Sequence, residues 1–187
     1  MRSALLILVF LLVWLDGNSQ FRKGDLLLSG NGSFERRLYQ FIIQGNVSSE
    51  QVEILYGMSP KIGYFITDNL VTGPAIDIES RRWYPPGLPE AGGNNRSYIL
   101  GIFTRYYHDS KFFGEASAGR YFESTGEEVR TFNWSLGVGR AFLLGDILAF
   151  EPMLVYTHRS GEAYQDAVAI YSGLGLRVGF SLFIPAN

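Results

Sequence analysis

The stretch YILGIFTRYYHDSKFFGEASAGRYF, Tyr98 to Phe122, decides how this chain folds. It is rich in bulky apolar residues, yet Arg105 and Glu115 each interrupt an otherwise uncharged run. Tyr98, Leu100, Ile102, Thr104 and Tyr106 fall on one parity; Ile99, Gly101, Phe103, Arg105 and Tyr107 fall on the other. Beyond HDSK, the even positions are Phe112, Gly114, Ala116 and Ala118, and the odd ones are Phe113, Glu115, Ser117 and Gly119. A period of two means strands, whose successive side chains point to opposite faces. Asp109-Ser110 is a short polar turn. The segment therefore reads as a hairpin in which Arg105 and Glu115 share a face and stand nearly opposite each other.

The same alternation runs along the rest of the chain. Val52, Ile54, Tyr56, Met58, Ile62 and Tyr64 oppose Glu53, Gly57, Ser59, Lys61 and Gly63. Leu174, Leu176, Val178, Phe180, Leu182 and Ile184 oppose Gly173, Gly175, Arg177, Gly179 and Ser181. Segments at Leu26–Glu35, Leu70–Glu79, Phe132–Phe142 and Leu148–Tyr156 behave alike. About eight strands result, each matching the roughly 9–11 residues that a strand needs to cross a membrane. Their connections alternate in length. Ile66–Asn69, His108–Lys111 and Leu143–Asp146 read as short turns, and Tyr39–Glu50, Arg81–Arg96, Glu123–Arg130 and Thr157–Asp166 as long loops. Short turns at one end and long loops at the other are the plan of an outer-membrane barrel. The expected fold is all-β: an eight-stranded antiparallel up-and-down transmembrane β-barrel.

Composition agrees with that plan. The 187 residues carry a net charge of −2, 15% aromatic residues, only 18% charged residues and no cysteine. Charged residues average about 25% in soluble domains. The near-neutral balance gives no sign of nucleic-acid binding. Without cysteine there is no disulfide framework, thiolate metal site or lipoprotein anchor. The two histidines are far apart in sequence and no phosphate loop occurs, so no cofactor or metal is expected. Residues 1–19 read as a cleaved signal peptide: Arg2, then the apolar run Ala4–Leu15, then Gly17 and Ser19 before the cut. The run is shorter than the roughly 20 residues of a spanning helix. Residues 20–187 form the barrel domain, with a mature N-terminus at or near Gln20.

Parity alone does not say which face is inside. A soluble lipocalin-like ligand binder turns its apolar face inward, whereas an outer-membrane barrel turns it to lipid. The glycines favour the second arrangement. Gly57, Gly63, Gly73, Gly101, Gly119, Gly137, Gly139, Gly173, Gly175 and Gly179 all lie on the polar parity. Glycine weakens an exposed strand, but inside a narrow barrel it makes room for long side chains. On the apolar parity, Tyr64, Tyr106, Phe112 and Phe142 fall near the short turns, and Tyr98, Phe122, Phe132 and Tyr156 near the long loops. Two aromatic rings at interface height fit a membrane barrel.

PKIGYFITDNLVTGPAI (Pro60 to Ile76), GIFTRYYHDSKFFGEASAG (Gly101 to Gly119) and LGVGRAFLLGDILAFEPML (Leu136 to Leu154) resemble the outer-membrane protein beta-barrel domain family. That family comprises small eight-stranded relatives of OmpA- and OmpX-type barrels. The resemblance covers nearly all of the chain after the signal. It implies a monomer in the outer membrane of a Gram-negative cell. Its partners would be membrane lipid and lipopolysaccharide, the barrel-assembly machinery, and possible extracellular ligands of the loops. Such barrels commonly end on an aromatic residue that the machinery reads. This chain ends FSLFIPAN, with Ile184 closing the apolar parity and Phe183 off it.

Two constellations are candidates for chemistry. Lys61, Arg105, Glu115, Glu151 and Arg177 share the inward parity near the short-turn end, with Asp77 and Glu79 higher. Charges in a narrow lumen must pair or stay hydrated. They are expected to form a network that fills the barrel, with Lys61 at its edge; an ion path is the competing reading. His158 and Ser160 resemble the His-x-Ser pair that outer-membrane lipid A deacylases carry on a lipid-facing strand, which implies a lipid A-modifying hydrolase as an alternative function. A serine nucleophile also needs its base oriented by a third group. The neighbouring strand offers Ser172 there rather than an acid; Glu162 and Asp166 lie in the loop. HDS at His108–Ser110 reads as turn chemistry. The four Asn-x-Ser patterns at Asn31, Asn46, Asn95 and Asn133 are read as chance matches, since Asn31 and Asn133 have inward parity. The sequence therefore favours a structural or surface role through long loops over catalysis.

Overall fold

The computed structural model describes residues 21–43, 46–83, 93–123, 131–162 and 168–186, with side chains described for 21–34, 54–80, 96–122, 131–161 and 172–186. Nine strands follow in chain order: β1 (Leu26–Ile43), β2 (Asn46–Phe65), β3 (Leu70–Trp83), β4 (Gly93–Tyr107), β5 (Phe112–Glu123), β6 (Thr131–Arg140), β7 (Phe142–Leu143), β8 (Leu148–Glu162) and β9 (Val168–Ile184). Every pairing is antiparallel, neighbours in sequence are neighbours in the sheet, and β1 closes on β9. β6 and the two-residue β7 both pair with β8, so together they fill one strand position. The result is a closed eight-stranded up-and-down barrel.

The strands turn their apolar parity outward. Met58, Ile62, Ile102, Val138, Leu154 and Leu174 stand exposed on the wall, while Ser59, Lys61, Arg105, Glu115, Ser135 and Glu151 are buried inside. That excludes the lipocalin-like arrangement, whose apolar face would fill the lumen. Tyr64, Tyr106 and Phe112 ring the short-turn end on the outside, and Tyr98, Phe122, Phe132 and Tyr156 ring the other end. In β9, Ile184 faces outward and Phe183 inward, as the alternation requires.

Close approach explains the inward glycines. Gly101 pairs with Gly119 across β4 and β5. A Cβ on Gly101 would lie 2.2 Å from the Ala118 carbonyl oxygen and 2.7 Å from the Gly119 Cα. One on Gly139 would lie 2.4 Å from Phe113 Cζ, so that glycine gives an inward ring its space.

The short turns sit close to where the sequence placed them. At Ile66–Asn69 the Thr67 hydroxyl accepts the backbone N–H groups of Asn69 and Leu70. At His108–Lys111 the His108 ring bonds the Ser110 hydroxyl at 2.8 Å, which is turn chemistry. Lys111 takes a left-handed φ of 65° there, and its ammonium lies 5.4 Å from the Phe21 ring centre. Burial lowers the Lys111 pKa, while Asp109 in the same turn opposes that shift. The third turn falls at 144–147, one residue later than expected, because Phe142 and Leu143 pair with β8.

The long loops need a larger correction. Tyr39–Glu50 is largely strand: β1 runs to Ile43 and β2 begins at Asn46. β3 and β4 likewise extend to Trp83 and from Gly93, and β8 and β9 to Glu162 and from Val168. Ladder pairing continues beyond the roughly 9–11 residues a bilayer demands, and outside lipid it carries no obligatory polar-apolar alternation. Polar composition there reads as loop although the backbone stays paired. The expected signal peptide, residues 1–19, lies outside the described residues.

A charge network and an aromatic layer in the lumen

The inward parity of six strands meets in one layer near the short turns. Register sets Arg105 of β4 directly opposite Glu115 of β5. Arg105 donates from Nε and Nη2 to Glu115 Oε2 at 2.9 and 2.7 Å. Its Nη1 donates to Glu151 Oε2 of β8 at 2.5 Å and to the Tyr107 hydroxyl at 2.7 Å. Tyr107 in turn donates to Glu151 Oε1 at 2.7 Å. Lys61 of β2 donates to Glu115 Oε1 at 2.5 Å. The Ser181 hydroxyl of β9 donates to Glu151 and lies 3.0 Å from the Ser29 hydroxyl of β1. Six of the eight strand positions therefore contribute to one layer, and Arg105 at its centre is 1% exposed.

The structure brings together four of the five expected residues. Lys61 joins at the edge of the layer, through Glu115, its described ion-pair partner. Arg177 stands level with Met153 and Ser33, whereas Glu151 faces Gly179, so Arg177 lies one inward step nearer the loop end. Higher still, Arg159 donates to Glu79 at 2.7 Å and to Asn133 at 3.3 Å, and its guanidinium packs 4.1 Å from the Tyr121 ring centre. Lys61, Arg105, Arg159 and Arg177 thus balance Asp77, Glu79, Glu115 and Glu151 among the buried lumen residues described. Charge balance is what a closed low-dielectric lumen requires.

Below the network lies a layer that the sequence reading missed. Phe21, ahead of β1, packs against Phe65, Tyr107 and Phe183 at ring-centre distances of 5.4, 4.6 and 4.4 Å. Phe113 joins through Tyr107 at 5.5 Å and covers the Arg105 guanidinium at 4.4 Å. Asp25 fastens this entry to the other end of the chain: it accepts the backbone N–H groups of Arg22 and Ala186. Phe65, Phe113 and Phe183 were findable, since each has inward parity beside a turn. Phe21 precedes all alternation and carried no such signal.

The other constellation is not assembled as a catalytic pair. His158 and Ser160 lie on the outward parity of β8, opposite Trp134 and Phe132 of β6. The His158 ring packs on Trp134 at 5.3 Å, and no described hydrogen bond joins it to Ser160. Its cross-strand neighbour in β9 is Ser172. The Glu162 side chain and Asp166 lie outside the described residues. Among the described residues no group of three histidine or carboxylate side chains is placed to hold a metal ion.

An apolar outer wall, aromatic rings at both ends and a polar, charge-paired interior define a small transmembrane β-barrel of the outer-membrane type. Comparison with solved structures agrees. The chain is similar to the outer membrane protein OprG of Pseudomonas aeruginosa, with a TM-score of 0.54 and 11% identity over 89% of this chain and 99% of that one. It is also similar to the outer membrane protein AlkL determined in lipid bilayers, with a TM-score of 0.50 and 16% identity over 89% and 92% of the two chains. At such identities the likeness is one of fold. Neither a protein-family model nor a curated protein matches the chain.

Proposed function

We propose that this protein is a sealed outer-membrane barrel of a Gram-negative cell that acts through its loop-end surface, with a lumen that is filled rather than conducting. Export would follow removal of residues 1–19, and insertion would use the barrel-assembly machinery. Lipid and lipopolysaccharide would be its immediate surroundings, and any ligand would meet the loops. The observation that carries this reading is the cross-section at Arg105. A guanidinium 1% exposed is bonded to two carboxylates and a phenol from three strands, with packed aromatic rings directly beneath it. Barrels of eight strands are just wide enough for side chains to fill. An ion crossing here would have to break charge-assisted bonds in a dry layer, each worth roughly 1.5–3 kcal/mol.

The test is conductance of the refolded protein in a planar lipid bilayer. No stepwise openings are expected from the wild type. Steady wild-type conductance whose ion selectivity changes in Glu151→Gln would reject the seal and establish a pore through this layer.

A further inference from the structure

One charged residue stands apart from the lumen. Arg140 ends β6, between Gly139 and Ala141, both of which face the interior. Alternation therefore points Arg140 outward, on the face of its register partner Phe112. It is nevertheless only 6% exposed. The cover comes from two aromatic rings: the guanidinium lies 5.1 Å from the centre of Phe112 and 5.4 Å from that of Phe142. Its Nη1 is buried with no hydrogen-bond partner, and no described carboxylate pairs with it. Asp109 and Asp146, in the adjoining turns, are exposed. Arg105 and Arg159, by contrast, each hold a carboxylate.

The energetics leave this cation short of a partner. Cation–π contact offsets only part of the cost of burying a charge without a counter-ion. What is lacking is an anion with a hydrogen-bond acceptor, reached from the lipid side. Phe112 follows one short turn and Phe142 precedes the next, so the pair sits at the aromatic ring of the short-turn end. Lipid headgroups occupy that height. Next to Phe112 along the outer wall, Gly114 faces outward into open space, flanked by Val138 and, beyond it, Leu154. Val138 and Leu154 are 65% and 53% exposed, so Gly114 leaves a notch beside apolar side chains of the outer wall.

We propose that Arg140, Phe112 and Phe142 form a binding site for a phospholipid of the short-turn leaflet. The phosphodiester accepts the bond from the guanidinium, and an acyl chain lies against the apolar wall over Gly114. The site is independent of whether the lumen conducts. Native mass spectrometry of the refolded barrel in non-ionic detergent tests it, with phosphatidylglycerol and a diacylglycerol of the same chains as probes. Wild type should retain phosphatidylglycerol and release the diacylglycerol. Arg140→Gln should lower phosphatidylglycerol retention about tenfold, the loss of roughly 1.4 kcal/mol, with Arg140→Lys between the two. Excess inorganic phosphate should leave the lipid in place. Equal retention of the two lipids by wild type, a comparison that needs no variant, would overturn the proposal. Unchanged retention by a folded Arg140→Gln barrel, judged by its circular dichroism, would do the same. Displacement by inorganic phosphate would replace the lipid with a free anion.

Discussion

Replacing Arg105 by methionine should expose how the lumen balances charge. The guanidinium is 1% exposed and joins Glu115 to Glu151. After Arg105→Met, Glu115 keeps Lys61, but Glu151 is left with only the neutral donors Tyr107 and Ser181. One uncompensated buried carboxylate remains, so the expected loss is about 3–5 kcal/mol. Glu151→Gln alone leaves Arg105 and Lys61 sharing the single carboxylate of Glu115, so one buried positive charge is uncompensated and the cost falls in the same range of about 3–5 kcal/mol. In the double variant no lone charge remains, because Lys61 and Glu115 still neutralise each other. The double should therefore cost less than the sum of the singles by about 1–3 kcal/mol. Combining Arg105→Met with Glu115→Gln offers no such rescue, since it strands Lys61 and Glu151 on separate strands. The assay is reversible urea unfolding in lipid vesicles, comparing midpoints at unchanged slope. Additivity of Arg105→Met and Glu151→Gln within about 0.5 kcal/mol would refute the network.

Phe21→Ala should cost about 3 kcal/mol, as loss of a buried ring does, and N-terminal sequencing of the membrane form should place the first residue at or near Gln20. An unchanged urea midpoint, or an intact Met1, counts against that view of the entry segment. Epitope tags within 84–92 or 163–167 should be reached on intact cells, and tags at Asp68 or Asp109 only after permeabilisation; the reverse pattern would invert the barrel. Gly101→Val drives side-chain atoms into the Ala118 carbonyl and should lose at least the roughly 1–3 kcal/mol typical of overpacking, read as a reduced folded yield in vesicles.

Alternation made the fold legible because a barrel wall has one constraint per residue: lipid on one side, lumen on the other. The hairpin at His108–Lys111 fixed the register, so Arg105 could be set against Glu115 before any coordinates. Contacts across the lumen were less accessible. Glu151 reaches Arg105 from a strand three positions away around the wall, and parity gives height but not azimuth. Arg159 had inward parity too, yet lay inside a span that composition marked as loop. Phe21 and Asp25 escaped because an entry segment has no period to read. Arg140 escaped for a different reason: outward parity in a lipid-facing wall gives no warning of a charge covered by two rings.

The two halves of the lumen differ in how completely the protein satisfies its own polar groups. At the short-turn end, the two carboxylates that meet Arg105 also hold Lys61, Tyr107 and Ser181, and rings close the floor. Towards the loop end, Asp77 Oδ1 and Thr157 Oγ1 are buried without a protein partner. Asp77 borders a small void with Ala75, Ser117 and Asn133. Buried polar atoms of this kind are satisfied by water when the space allows. Under the proposed seal, water would reach them from the loop side, since the Arg105 layer and the Phe21 cluster close the other mouth. On the proposed reading the barrel is a cup rather than a tube, closed at the charge-balanced layer.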